Sequence, residues 1–175
     1  FEGFKKVKYT KEVVFLNQKE LEQLEDYQFR QNRLQEVKNC FLFSAYTGLA
    51  YNELKSLKGE HLILDDDNQY WIRIKRLKTS KVLEIPLLKK AESILKDYWM
   101  EVKDISNDDE VFNLLSNQKM NSYLKEIADV VGINKPLTTH VGRKTFASTV
   151  LLNNDVPMHV VSELLGHSSI TITEE

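Results

Sequence analysis

Four short stretches of this chain combine residue types that can grip an anion and move a proton. In His140-Val-Gly-Arg143-Lys144 an imidazole precedes a guanidinium by three residues, so on a helix the two share a face. Arginine's planar fork donates two charge-assisted hydrogen bonds to a phosphate or carboxylate. Imidazole titrates near neutrality, which suits it to general acid–base work. A second histidine, His167, follows Arg143 by 24 residues in Leu164-Leu-Gly-His167-Ser-Ser. The third stretch is Tyr46-Thr-Gly-Leu-Ala50-Tyr-Asn-Glu53-Leu, with one carboxylate. The fourth is the basic run Arg73-Ile-Lys75-Arg76-Leu-Lys78, with Lys81 just beyond. Taken singly, each is weak. A lone His-x-x-Arg is common, a histidine after a helix-ending glycine is more often a cap than a catalyst, and most charge runs are solvated surface.

These residues need elements to position them, and the pattern supplies a mainly α-helical chain with one small antiparallel sheet. Leu16-Asn17-Gln-Lys-Glu20 predicts a helix start, with Asn17 as N-cap and Glu20 as its reciprocal partner, running to about Tyr27. A longer helix spans about Leu34 to Thr47, ended by Gly48, and a short helical stretch covers Asn52 to Leu57. Tyr70-Trp-Ile-Arg-Ile74 and Lys81-Val-Leu-Glu-Ile85 alternate or carry β-branched and aromatic residues. They flank a polar segment, as in a hairpin or a three-strand meander, with Pro86 closing the second strand. Helices are then expected over Ala91–Val102 and Gln118–Val131, the latter stopped by Gly132. Thr138 or Thr139 caps a long helix reaching about Leu152, Asn153–Asp155 turns, Pro157 opens a last helix at its first position, and Gly166 ends it. Arg143 thus lies early in one helix, His167 just past another, and Lys78 in the tip between two strands.

The composition is that of a single globular domain: 175 residues, 42% hydrophobic and 29% charged, with three prolines and six glycines. No apolar run is long enough for a membrane span, so no membrane partner is expected. One cysteine, Cys40, rules out an intrachain disulfide framework and any CxxC metal motif; it lies in an apolar run and reads as core. A reducing cytoplasmic compartment is expected. With 24 Lys+Arg against 26 Asp+Glu, the chain lacks a global basic signature. Nucleic-acid binding would therefore rest on local clusters, at Lys5–Lys11 and at Arg73–Lys81. The acids gather elsewhere, in Asp65–Asp67, Asp108–Glu110 and Glu174–Glu175.

In this order and spacing, the HxxR box, the LGH box, the TGLxxxEL box and a lysine-bearing hairpin that ends in Ile-Pro-Leu resemble the tyrosine recombinases, the phage-integrase family. The resemblance runs from Leu16 to the last residue. It implies that family's catalytic-domain fold and a phosphoryl transfer that uses neither metal nor ATP. A tyrosine attacks a DNA phosphodiester, forms a 3′-phosphotyrosyl link and releases a 5′-hydroxyl, which attacks the partner strand's link. By resemblance Arg143 binds the scissile phosphate, His140 positions the phosphate or takes the tyrosine's proton, and His167 donates to the phosphate. Lys78 protonates the leaving 5′-oxygen, with Lys75 and Lys81 as competitors for that role, and Glu53 supports the active-site arginines. Arg73, Lys75, Lys81 and Lys144 are expected on the DNA, and His61 and His159 outside the site. The implied partners are double-stranded DNA and further copies of the chain, as a tetramer on DNA, in a bacterial, nucleoid-associated setting.

Two positions depart from the family pattern. Relatives carry Thr-Gly-Leu-Arg where this chain has Thr47-Gly-Leu-Ala50, so the first of two phosphate-binding arginines is replaced by a methyl group; a subset that includes elements of Bacteroidetes-type bacteria looks similar. The candidates to substitute are Arg73, Arg76, Arg30 and Arg33, of which Arg76 is preferred because the hairpin delivering Lys78 already approaches the scissile step. The nucleophile is expected at the first position beyond Glu175, and none of the seven tyrosines lies in a suitable place. Residues 15–175 are therefore expected to be a catalytic domain cut just before its tyrosine, and residues 1–14 a basic linker from an N-terminal DNA-binding domain. Two other activities share these features: a non-catalytic DNA-binding relative that regulates excision, and a type IB topoisomerase.

Overall fold

The fold is arranged around α2 (Asn32–Thr47) in a computed structural model that describes residues 12–76, 79–99 and 102–167. Every α2 residue from Val37 to Thr47 is buried, as befits a helix with few polar positions on any side. It stops at Gly48, whose φ of 72° lies in the left-handed region and whose N–H donates to Ser44 O. Packed against it are α4 (Lys89–Lys96), α5 (Asn117–Val131) and α6 (Thr139–Thr145). The remaining helices are α1 (Gln18–Asp26), α3 (Tyr51–Ser56) and α7 (Met158–Leu164). The α1 start forms as the sequence predicts: Asn17 Oδ1 accepts the Glu20 N–H at 2.9 Å and Glu20 Oε2 accepts the Asn17 N–H at 2.8 Å.

The sheet is the three-strand meander, β1 (Leu62–Leu64), β2 (Tyr70–Lys75) and β3 (Val82–Pro86), antiparallel throughout in the order β1-β2-β3. Its register pairs Ile72 with Ile85 and Ile74 with Leu83, which places all four on the core face. The intervening pairs, Arg73 with Glu84 and Lys75 with Val82, face outward. Among the described residues no helix is long and apolar enough to cross a membrane.

Four expectations are corrected in whole or in part. The helix expected over Ala91–Val102 ends at Lys96, because the aromatics that follow dock elsewhere. Tyr98 packs edge-on to Phe112, and Trp99 Nε1 donates to Val111 O at 3.4 Å. Thr138 occupies the N-cap position of α6 as expected, but its side chain makes no capping hydrogen bond. Instead Asn121 Oδ1, from α5, accepts the Thr139 N–H at 2.9 Å. The long helix to Leu152 is also not a single α-helix. After Thr145 it widens into a π-helical segment, Phe146–Leu151, and then tightens into a 3-10 turn, Leu152–Asn154. Pro157, expected inside the last helix, sits one position earlier as its N-cap.

Most apolar side chains belong to one core that reaches from Leu16 to Val141. A second, smaller cluster of Phe146, Leu151, Val161 and Leu165 seats α7.

Candidate active site

Arg143 emerges from the last turn of α6 and is 5% exposed. Its guanidinium spans two helix ends. Nη1 donates to Gly48 O, at the end of α2, at 2.7 Å, and Nη2 donates to Leu165 O, at the end of α7, at 2.6 Å. Helix C-termini leave carbonyls without intrahelical partners and carry partial negative charge, so a cation is well placed there. Nη2 also lies 3.4 Å from His167 Nε2. His167 is brought round by Gly166, whose φ is 63°. A Cβ at Gly166 would stand 2.4 Å from Leu83 Cδ2, so only glycine lets α7 close onto β3 in this way. Gly48 is equally constrained, since a Cβ there would meet the Phe146 ring at 2.5 Å.

Arg76 follows β2 and enters the same corner. Its Nη1 donates to Gly166 O at 2.8 Å, the carbonyl next in sequence to the one Arg143 holds. Its Nε donates to Glu53 Oε1 at 3.3 Å. The other oxygen of that carboxylate, Oε2, accepts the Ala50 N–H at 2.7 Å. Glu53 is 4% exposed, so one buried carboxylate ties Arg76 to the backbone of position 50. The hairpin begins from Arg76: its N–H donates to Lys81 O at 2.7 Å, and its own carbonyl accepts the Ser80 N–H at 2.8 Å.

The electrostatics follow from this crowding. Burial, then the Arg76 charge, lowers the Arg143 pKa to about 10, against the attraction of Glu53. Burial, then Arg143, Arg76 and Lys81 in turn, lowers the His167 pKa to about 4, so its imidazole is neutral near pH 7. His140 stands in the first turn of α6 on the exposed side. Its pKa is lowered by partial burial and then by Lys144 and Arg143, which also favours the neutral ring.

Of the residues singled out from sequence, Arg143, His167, Arg76 and Glu53 meet in one corner, with Lys81 near enough to act on His167. Lys78 lies outside the described residues, as does most of the basic stretch 1–14. Lys75 is exposed on the outward face of the sheet and Lys144 is half-buried on α6. Arg73 shares the outward face, where its Nε bonds Glu84 Oε1 at 2.7 Å. Arg33, another candidate to replace the missing arginine, is bidentate to Glu126 at 2.7 Å and stacks over Tyr123, 4.7 Å from the ring centroid. Sequence reasoning missed the carbonyls of Gly48, Leu165 and Gly166. The only signal in the sequence is the pair of helix-ending glycines, which mark where helices stop but not that arginines bind there.

Residues 14–175 match the model of the phage integrase family. The chain belongs to that family. It is 37% identical over 139 residues to the tyrosine recombinase XerD of Listeria monocytogenes, an alignment covering 73% of this chain and 45% of the relative. To the XerD of Chlorobaculum tepidum it is 33% identical over 143 residues, covering 77% and 45%. The chain thus spans about half the length of these curated relatives, 45% in each case. Its fold resembles that of the XerH site-specific recombinase bound to difH substrate, with a TM-score of 0.70, 22% identity, and 91% of this chain and 49% of the other covered. It also resembles the catalytic domain of bacteriophage HP1 integrase, with a TM-score of 0.60, 21% identity, and 93% and 85% covered.

Proposed function

We propose that the protein is a site-specific tyrosine recombinase that cuts and rejoins double-stranded DNA through a 3′-phosphotyrosyl intermediate, and that residues 15–175 belong to its catalytic domain. The observation that carries this reading is the convergence of two guanidiniums, Arg143 and Arg76, on consecutive carbonyls beside a neutral imidazole, with the Glu53 carboxylate bonded to Arg76. Such a corner has an excess of positive charge in a partly dry setting, which suits a phosphate whose non-bridging oxygens gain charge in the transition state. The curated relatives are named tyrosine recombinases, and the structural relative XerH is bound to its difH substrate.

In this reading Arg143 and Arg76 share the scissile phosphate. Arg76 supplies the guanidinium that Ala50 does not, held toward position 50 by Glu53. His140, neutral and exposed, accepts the proton of the attacking tyrosine hydroxyl as its oxygen bonds to phosphorus and the bond from phosphorus to the 5′-oxygen breaks. Lys78 returns a proton to that departing oxygen. His167 donates a ring N–H to a non-bridging oxygen. Lys75, Lys81, Lys144 and Arg73 contact the flanking backbone, residues 1–14 lead from a preceding DNA-binding domain, and the nucleophile is a tyrosine that follows residue 175. The working form is an oligomer on DNA, a tetramer.

The test is covalent trapping of the full-length natural protein on a nicked duplex that loses its 5′-hydroxyl fragment after cleavage, with a chelator present. A protein–DNA adduct resistant to denaturant is expected, and Arg143→Ala should abolish nearly all of it. No adduct from the unaltered protein, or an equal yield from the variant, overturns the reading.

A further inference from the structure

We infer that Thr145 and Thr149 are positioning residues for Arg143, acting through the backbone of Leu16. Thr145 Oγ1 accepts the Leu16 N–H at 3.0 Å, and Thr149 Oγ1 donates to the carbonyl of the same residue. The partners are 129 and 133 residues apart in sequence. All three residues are fully buried, at 0% exposure. Both polar groups of one backbone residue are therefore clasped by two hydroxyls on the segment that follows Arg143. Lys135 reinforces the site by donating from Nζ to Phe15 O at 2.9 Å and to Glu20 Oε2 at 2.6 Å.

The need for a clasp follows from the shape of this segment. α6 has seven residues, far fewer than the roughly 12–15 an isolated helix needs to persist in water. External pins must hold it. Asn121 holds its first turn through the Thr139 N–H, and Gly142 lets its middle lie against Ser44, where a Cβ would come within 3.0 Å of Oγ. Leu16 holds its end.

Immediately beyond Thr145 the helix widens, and the Leu152 N–H reaches back to Ala147 O, five residues earlier. A π-turn amounts to one extra residue in an α-helix, and relaxing it would turn everything downstream by about 100° relative to everything upstream. Arg143 lies upstream of the wide segment. At its far end lies Leu151, which packs in the small cluster with Val161 and Leu165, the residue whose carbonyl Arg143 binds. Thr145 precedes the wide segment and Thr149 lies within it, so Leu16 bridges from one to the other. The clasp fixes the phase between the Arg143 guanidinium and the α7 turn that carries His167.

This inference rests on the recombinase reading for its rate measurement but has a second readout that does not. In the full-length protein, Thr145→Val and Thr149→Val remove the hydroxyls at nearly constant shape, and the serine variants keep them. Single-turnover adduct formation at saturating DNA should fall by on the order of ten- to a hundredfold in the double valine variant, the scale of an ångström-sized misplacement. DNA affinity should stay within about threefold, and the double serine variant should keep most of the parental rate. Valine variants that cleave like the parent while melting at lower temperature would make the clasp purely structural and overturn the inference. If the parent forms no adduct, the recombinase reading has failed. Hydrogen exchange across 139–152 then decides: faster exchange there than in α5 on loss of the hydroxyls supports the clasp, and unchanged exchange overturns it. Should the double valine variant not fold, Thr149→Ala is judged by the same criteria.

Discussion

Among the described residues two cations are buried, Lys38 and Arg143, at 2% and 5% exposure, and both donate to main-chain carbonyls at helix ends. Lys38 Nζ reaches Glu25 O at 3.1 Å and Tyr27 O at 2.6 Å, closing the end of α1. Arg143 closes the ends of α2 and α7 in the same manner. Burial is the first cause lowering the pKa of each. The next causes have opposite signs. Around Lys38 stand Asp97, Glu25 and Asp26, whose charges pull its pKa back up. Beside Arg143 the next influence is another cation, Arg76, with Glu53 alone opposing. The protein neutralises the first cation with its own acids and leaves the second with positive charge to spare. A cation whose only work is to close helix ends has no use for a second arginine beside it, whereas one that binds a phosphate, as proposed for Arg143, does.

That contrast can be broken experimentally, and the largest effect should come at Arg143. Arg143→Ala should slow adduct formation by on the order of 10²–10³, the usual consequence of removing one preorganised donor. Lys38→Met should leave the rate per folded molecule unchanged while lowering stability by about 1–3 kcal/mol, because two carbonyls lose their donor. A cleavage defect in Lys38→Met, in protein shown to be folded, would erase the distinction.

Arg76→Ala comes next, with a loss approaching that of Arg143→Ala, and Ala50→Arg in that background should restore part of the rate. Parental cleavage by Arg76→Ala would show that its guanidinium serves only its partners within the fold, the Gly166 carbonyl and Glu53.

A smaller effect concerns the spare charge in the absence of DNA. Inorganic phosphate at constant ionic strength should raise the melting temperature by preferential binding to the folded state. The rise should shrink in Arg76→Ala and persist in Lys38→Met, and equal shifts in all three proteins would mean that phosphate is not reading this corner.

The pH dependence is subtler. The folded-state pKa of His167, about 4, lies below its ordinary 6.5. As pH falls from 6.5 toward 4 the unfolded chain takes up this proton first, so the contribution is complete above 6.5 and is lost on acidification. His167→Gln should flatten the stability curve over that window, and an unchanged slope would place the acid sensitivity elsewhere.

The smallest effect is expected at Arg73, which is paired with Glu84 on the exposed face of the sheet. Arg73→Ala should change stability by less than about 1 kcal/mol and, if the residue meets DNA, make the salt dependence of binding shallower by about one phosphate's worth.

Much of this could be read along the chain because it depends on near neighbours. Asn17 and Glu20 announce the start of α1, and Gly48 and Gly132 mark the ends of α2 and α5 at left-handed positions. The alternation of Ile72 and Ile74 against Leu83 and Ile85 sets which face of the hairpin is buried. The order of the four motifs led to the family, and Arg76 stood out because it lies two residues from Lys78.

What could not be read are the partners that lie far away in sequence or carry no residue-specific mark. Every residue has a carbonyl, so no pattern tells that Arg143 binds those of Gly48 and Leu165, 95 and 22 residues distant. The end of α4 depends on where Tyr98 and Trp99 find Phe112 and Val111, and the first turn of α6 on an asparagine from α5. The widened turn after Thr145 likewise has no local signature, since Thr145 and Thr149 meet Leu16 only once segments 129 and 133 residues apart pack together. Local propensity and hydrophobic period are properties of a segment. The aim of a guanidinium is a property of several segments already packed, and it was decided there.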